Sequence, residues 1–480
     1  MADQLLRIAI VGHTNTGKTS LLRTLTRNTT LGEVSDRPAV TRHVEGVSLL
    51  INGQAMLELY DTPGLEDSIG LLEHLDTQSE SHSDGLAQID SFLQGDAART
   101  TYAQEAKTLR QVLASHVALY VIDARERVLG KHRDELEILS RCARPVVPVL
   151  NFVASEDNRV TEWREQLARA ALHAVAEFDT VVVDDDGERR LFEKVGTLVD
   201  SYRSTIDAVI RDREAQRLKL VHGASKLVAD MLVDVAAFSE TASTRDTEEL
   251  DATSRRVQEQ IREREAEAVR ALLQLFRFRE DDCRAAELPI ENAHWGLDLF
   301  SPDALRVLGW KAGRSAATGA MIGLSVDILS AGLTLGTGTA LGAALGAAYE
   351  GTRAHGRRLV DRMRGRSDIR CAESTLRIVL ARQTWLVRAL LRRGHAAMEP
   401  VELAIRDVGS SKSLPEPLRL ARLHRHWSNL GAAGMTGRTD PARVAAVTQL
   451  TGWLDDAITA ASSERPTNED SASTNGSASG

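Results

Sequence analysis

Gly12 to Thr19 reads GHTNTGKT, an unbroken G-x-x-x-x-G-K-[ST] motif directly after the apolar run LRIAIVG. No other feature constrains the fold as strongly. Glycines in such a loop let the chain turn so that successive backbone N–H groups converge on one anion. A helix beginning at the loop's end adds its N-terminus to the same point, and KTSLLRTLT fits that helix. Within the motif, Gly12, His13, Thr14, Asn15, Thr16 and Gly17 form the cradle and Lys18 reaches the terminal phosphates. The Thr19 hydroxyl ligates magnesium, and Ser20 continues into the helix. A strand before and a helix after the loop are the context this chemistry needs.

Further strands and helices alternate up to about residue 200. EGVSLLI and AMLELYDTPG read as paired strands, VALYVIDARE and PVVPVLNF as buried strands, and KHRDELEILSRCA as an amphipathic helix. This pattern predicts a doubly wound, mostly parallel sheet covered on both faces, an α/β domain over residues 1–200. The second strand ends in D-x-x-G at Asp61 to Gly64. An acid there holds magnesium, and the glycine N–H senses a terminal phosphate. Between the two motifs, Thr41 is the natural switch threonine, whose hydroxyl and carbonyl close over the metal and the terminal phosphate. Residues 65–101 form a polar stretch too long for an ordinary loop, expected to be a mobile or functional insertion over the site.

The segments GHTNTGKTSLLRTL, RPAVTRHVEG, YDTPGLEDS and VIDARE resemble the Era/TrmE-like branch of the translation-factor-class P-loop GTPases. The likeness covers about a third of the chain. It implies GTP and GDP as ligands, magnesium as cofactor, and hydrolysis with Lys18, Thr41 and Gly64 in the catalytic constellation. Thr19, Thr41 and Asp61 are the implied magnesium ligands. That branch often carries asparagine at the fourth loop position and uses it to hold potassium, which implies Asn15 as a potassium ligand. A bound monovalent cation neutralises charge that develops in the transition state, as an arginine finger does. The alternative is that Asn15 only hydrogen-bonds the loop. The family lacks a glutamine after D-x-x-G, and Leu65 stands there. Glu66 and Glu73 are then candidates for placing the water.

The base-reading motif departs from the family. N-K-x-D becomes Asn151-Phe152-Val153-Ala154, so the asparagine is kept while the lysine and aspartate are replaced. Phe152 offers a stacking face, and Glu156 or Asp157 could supply a displaced acceptor. Loss of the aspartate lowers discrimination for guanine. Two readings therefore stand: a GTP-hydrolysing switch, or a nucleotide-binding regulatory or scaffold module with little turnover or relaxed base specificity.

Residues 201–461 read as mainly α-helical. In VQEQIREREAEAVRALLQLF, Val257, Ile261, Ala268, Leu272 and Leu275 share one face, interrupted by Arg264 and Glu265. The resemblance extends to a bacterial subgroup with a C-terminal domain of unknown function. Residues 312–350 are rich in glycine, with Gly319, Gly323, Gly338, Gly342 and Gly346 at four-residue spacings, and carry no charge from Ile328 to Tyr349. Two glycine-grooved helices joined as a hairpin account for them. A close-packed soluble hairpin, reversible insertion into a membrane or partner, and a membrane span all remain open. Residues 462–480 are of low complexity and expected to be disordered.

The net charge of −9 argues against a broad nucleic-acid-binding surface. Three scattered cysteines form no C-x-x-C pair, which argues against a disulfide framework or zinc site and fits a cytoplasmic protein, with peripheral contact at the inner face of the membrane as a further option. An unknown protein effector and a nucleotide-dependent dimer complete the expected partners.

Overall fold

The computed structural model describes residues 5–26, 45–77, 84–155, 157–180, 186–243, 245–276, 278, 288–301, 324–326, 366–391, 413–431 and 439–463. Thr41, Glu156, the tail from residue 464 and nearly all of 312–350 lie outside them. The chain divides into two compact units with the boundary at Arg217 and Leu218.

The first unit runs β1 (Leu6–Val11), α1 (Lys18–Thr26), β2 (Glu45–Ile51), β3 (Gln54–Asp61), α2 (Ser68–Thr77), α3 (Gly85–Gln94), α4 (Ala103–Ala114), β4 (Val117–Asp123), α5 (Gly130–Arg141), β5 (Val146–Asn151), α6 (Val160–Arg169), β6 (Ala176–Glu177) and α7 (Gly187–Leu198). Its sheet has the order β2-β3-β1-β4-β5-β6, with β2 antiparallel and the rest parallel. The β2–β3 hairpin turns on Asn52-Gly53, both at positive φ, as a two-residue turn between right-twisted strands requires. The central strands are apolar at successive positions because both faces are covered. Ile8 and Ile10 pack with Leu119, Val121 and the helices α1 and α7, while Ala9 and Val11 pack with Tyr120, Ile122 and α2 to α6. Chain order reverses beside β1, so the loop after β1 opens at the switch point where α/β sheets hold their ligands.

The stretch read as a long polar insertion, 65–101, contains α2 and α3. Leu71, Leu75, Ile89 and Phe92 are buried against the sheet-covering core. Each helix turns only two apolar side chains fully inward, and frequent polar residues hide that short period in the sequence.

The second unit contains α8 (Arg203–Ala237) from Leu218 onward, β7 (Ser239–Ser243), α9 (Thr247–Phe276), β8 (Ile290–Glu291), β9 (His294–Trp295), β10 (Leu324–Val326), β11 (Arg366–Cys371), α10 (Glu373–Leu391), α11 (Glu416–Ala421) and α12 (Pro441–Ser463). It is mainly helical around one apolar core that takes in Val257, Ile261, Ala268 and Leu272 of α9, with Leu275 at its margin. Besides the short antiparallel pair β8–β9, two features depart from the helical expectation. β7 and β11 form an antiparallel pair that β10 extends. Leu324–Val326, inside the segment read as a helical hairpin, is therefore strand, held by cross-strand bonding to β11 that no local pattern announces. Among the described residues no helix is long and apolar enough to cross a membrane.

Candidate functional site

The chain leaves β1 at Val11 and turns at Gly12 (φ +142°), Asn15 (φ +66°) and Gly17 (φ +92°) before α1 begins at Lys18. A Cβ at Gly17 would lie 2.3 Å from Asn151 Nδ2, so the close approach of loop and β5 needs glycine there. Asn15 holds the left-handed conformation that asparagine tolerates among non-glycine residues, and its side chain is exposed.

Lys18 is buried, and its ammonium donates to Gly12 O at 3.1 Å and His13 O at 2.7 Å. Burial lowers its pKa, opposed by the charges of Asp61, Glu135 and Glu66. Thr19 Oγ1 donates to Asp61 Oδ2 at 2.6 Å. Asp61 comes from the end of β3, which pairs with β1 through Ile10. Thr62 Oγ1 donates to Ile10 O and Thr108 Oγ1 to Pro63 O, both at 2.8 Å, and so pin the D-x-x-G turn. A Cβ at Gly64 would stand 2.7 Å from Thr14 Oγ1. Two motifs about forty residues apart in sequence are thus in van der Waals contact. The hydroxyl and carboxylate oxygens of Thr19 and Asp61 are hard donors, and side by side they suit magnesium.

On the base side, Asn151 is fully buried and acts as a clamp. Its Nδ2 donates to Thr16 O at 2.9 Å, and its Oδ1 accepts from Phe152 N, Thr180 N and Thr180 Oγ1. Phe152 adopts φ +59°. The Arg125 guanidinium lies 4.0 Å from its ring centroid and is held in place by a two-pronged pair with Asp123. Ala154, where the family has its aspartate, gives its N–H to Asp179 Oδ2 at 3.0 Å. Asp157, Glu73 and Glu66 are all exposed, and Glu66 accepts a 3.3 Å hydrogen bond from Thr14 Oγ1.

His13 Nδ1 lies 2.9 Å from Glu135 Oε1, and Tyr120 OH donates to Glu135 Oε2 at 2.7 Å. Arg125, Thr180, Asp179 and Glu135 were not apparent as site residues from motifs. Glu135 did leave a signal, since it falls on the face of α5 that buries Leu136, Ile138 and Leu139. A carboxylate on such a face needs interior partners.

Comparison with known families agrees with this geometry. Residues 164–451, more than half of the chain, match the family described as a domain of unknown function, DUF3482. The chain belongs to that family. Residues 7–152 match the family described as 50S ribosome-binding GTPase. With the sheet order and phosphate loop, this makes the first unit a P-loop GTPase domain, a guanine-nucleotide-binding fold. The DUF3482 match starts next to Trp163 in α6, so in this chain α6, β6 and α7 complete the first unit although they belong to the second match.

No curated protein matches the chain. Among solved structures, Era in complex with MgGDPNP and a 16S ribosomal RNA segment is 18% identical, covering 37% of this chain and 51% of that one at a TM-score of 0.27. Aquifex aeolicus Era bound to GDP and AlF4⁻ is 20% identical, with 37% and 52% covered and a TM-score of 0.27. The G domain of the T. maritima FeoB iron transporter is 19% identical, with 41% and 99% covered and a TM-score of 0.25. The chain spans about half the length of the Era chains it matches.

Proposed function

We propose that this chain binds and hydrolyses GTP as a magnesium-dependent molecular switch whose nucleotide state is passed to the helical DUF3482 region. The observation that carries this reading is Thr19 Oγ1 on Asp61 Oδ2 at 2.6 Å, beside the buried Lys18. Lys18 now rests on two main-chain carbonyls, and incoming phosphate oxygens replace them as the stronger, charged partner. The loop N–H groups and the start of α1 hold the β- and γ-phosphates. Thr19, Thr41 and Asp61 would hold magnesium, which would supply charge neutralisation at the phosphates. Gly64 N–H reports the terminal phosphate and loses that partner on hydrolysis. The Asn15 carboxamide, which is exposed, is the proposed potassium ligand beside the phosphates. The partners of the helical region are an effector protein or a membrane surface reached through 312–350.

A second reading concerns the base. Ala154 supplies no carboxylate, and its N–H is already taken by Asp179. Phe152, backed by Arg125, offers stacking, which every base accepts. Relaxed base specificity, and with it a regulatory module of low turnover, fits these facts.

The test is nucleotide affinity for GTP, ATP and their diphosphates in magnesium and potassium, with single-turnover hydrolysis of wild type and Lys18→Ala. Tight GTP binding with turnover lost in Lys18→Ala supports the switch. Equal GTP and ATP affinity supports the second reading on specificity. Binding of neither nucleotide overturns both.

A further inference from the structure

The buried carboxylate of Glu135 lies beneath the phosphate loop and outside every phosphate-binding motif. It sits on α5 with no solvent exposure, and both of its oxygens are engaged. Tyr120 OH, fully buried on β4, donates to Oε2 at 2.7 Å, and His13 Nδ1 lies 2.9 Å from Oε1. Burial and the neighbouring Glu135 raise the Tyr120 pKa well above its ordinary value, so the phenol stays a donor. His13 Nδ1 is also 3.3 Å from Leu65 O. Both neighbours of Nδ1 are acceptors, so this nitrogen carries the hydrogen, an assignment made from its partners. One N–H thus joins a buried acid to the carbonyl immediately after Gly64.

The same histidine's own carbonyl accepts from Lys18 Nζ at 2.7 Å and from Thr16 Oγ1 at 3.0 Å. His13 therefore touches, by side chain and main chain, the lysine that meets the phosphate and the turn that senses it. Beyond Asp61, which Thr19 Oγ1 meets at 2.6 Å, the other ties between the two loops are Thr14 Oγ1 to Glu66 at 3.3 Å and the close packing of Gly64 on Thr14. Neither is anchored to a buried charge. A fully buried carboxylate is costly unless its partners are fixed. That cost makes the direction of the Glu135–His13 contact rigid, and with it the place of Leu65 O.

We propose that Glu135, acting through His13 Nδ1–H, is a positioning pair that latches the backbone after Gly64 to the phosphate loop and so governs turnover rather than diphosphate affinity. The proposal deepens the switch reading and rests on it for its kinetic consequence. The rival account is that the His13–Glu135–Tyr120 chain only stabilises the fold.

His13→Asn and His13→Ala separate the two accounts, because an asparagine amide nitrogen occupies nearly the position of Nδ1 and still donates. Single-turnover GTP hydrolysis, GDP affinity and backbone hydrogen exchange at Gly64–Asp67 are measured on the full chain, with Glu135→Gln as a second perturbation. His13→Ala is expected to lower the hydrolysis rate about tenfold or more and to speed exchange at Gly64–Asp67 in the nucleotide-free protein, and Glu135→Gln, outside the cradle, to do the same while GDP affinity stays within about twofold. His13→Asn recovers at least half of the lost rate and the exchange protection. Unchanged exchange at Gly64–Asp67 in both His13→Ala and Glu135→Gln overturns the latch. So does a fall in GDP affinity in Glu135→Gln equal to its fall in rate. A wild-type chain that hydrolyses no GTP overturns the switch reading alone, and the exchange measurement then decides the latch. If His13→Ala does not fold, Glu135→Gln and Tyr120→Phe decide by the same exchange readout.

Discussion

The two units bury charge in different ways. In the first, Lys18 is held by two main-chain carbonyls, and Thr19 meets a single carboxylate oxygen of Asp61. These groups converge on one loop at the end of a sheet, and their present partners are ones a phosphate or a metal displaces. In the second, charge is closed on itself. Asp234 accepts from Arg264, Arg443 and both nitrogens of Asn429, while Asp230 accepts from the same two arginines. Glu265 receives Arg382 and Gln383. These networks fasten α8, α9, α10 and α12 to one another. The difference separates a site from a staple: a site keeps its charged groups on exchangeable partners, and a staple fixes each on a charge of opposite sign.

That contrast breaks first at Arg382. It is nearly fully buried, and burial pulls its pKa down to about 9 even though Glu265 is in contact. Arg382→Met leaves the Glu265 carboxylate buried with Gln383 alone and is expected to destabilise the second unit by about 3–5 kcal/mol. Replacing both partners by apolar residues recovers most of this loss. Chemical denaturation measures both, and nucleotide affinity stays at the wild-type value. A loss of GTP affinity in Arg382→Met would place a ligand role where the contrast allows none.

Lys18→Ala reverses the signature. Hydrolysis is expected to fall by about 10²-fold or more, roughly 2.7 kcal/mol, as for a donor aimed at developing charge. Melting temperature holds or rises, because a buried ammonium is removed from two carbonyls. A melting temperature that fell as far as that of Arg382→Met would make Lys18 another staple.

The next effect in size is smaller than both and belongs to His132. Burial keeps the His132 imidazole neutral, with its pKa pulled down to about 4, and its Nδ1 accepts Leu129 N–H at 3.1 Å. The unfolded chain takes up this proton near pH 6.5. Between pH 6.5 and 4 the unfolded state therefore binds the proton more, and stability falls as the pH is lowered through that window. The expected loss is about 1–2 kcal/mol by pH 5. His132→Gln flattens the slope in thermal unfolding from pH 7 to 4.5, and an unaltered slope would rule His132 out as its source.

The smallest expected change is at Asn15. Potassium in place of sodium is expected to raise wild-type turnover severalfold through cation compensation of transition-state charge, with no such gain in Asn15→Ala. Equal wild-type rates in both salts remove the potassium site and leave the rest of the comparison untouched.

The first unit was largely legible because its signals are local. A buried strand, a glycine loop, an amphipathic helix and a D-x-x-G turn each announce themselves within ten residues. Lys18, Thr19 and Asp61 follow from the two motifs alone. The second unit was less legible because its decisive contacts are not local. Arg264 and Glu265 looked like interruptions of the apolar face of α9. Arg264 is half-buried and pairs about 30 residues earlier with Asp230 and Asp234, and Glu265 is buried and pairs more than a hundred residues later with Arg382. The strand β7, SETAS, lacks β-branched alternation and exists because β11 pairs with it.

By itself the sequence determined the strand–loop–helix cradle, because backbone sterics and the Gly-x-x-x-x-Gly-Lys-Thr spacing admit few other conformations. It also determined the alternation of strands and helices that gives the doubly wound sheet. Only the tertiary structure decided that Asn151 clamps the loop and that Asp179 occupies the N–H of Ala154. The same holds for Glu135, which reaches the segment after Gly64 through His13. Those contacts join residues up to 135 positions apart. Hydrogen bonds and buried charges choose partners by distance in space, which a linear pattern does not carry until the sheet has closed.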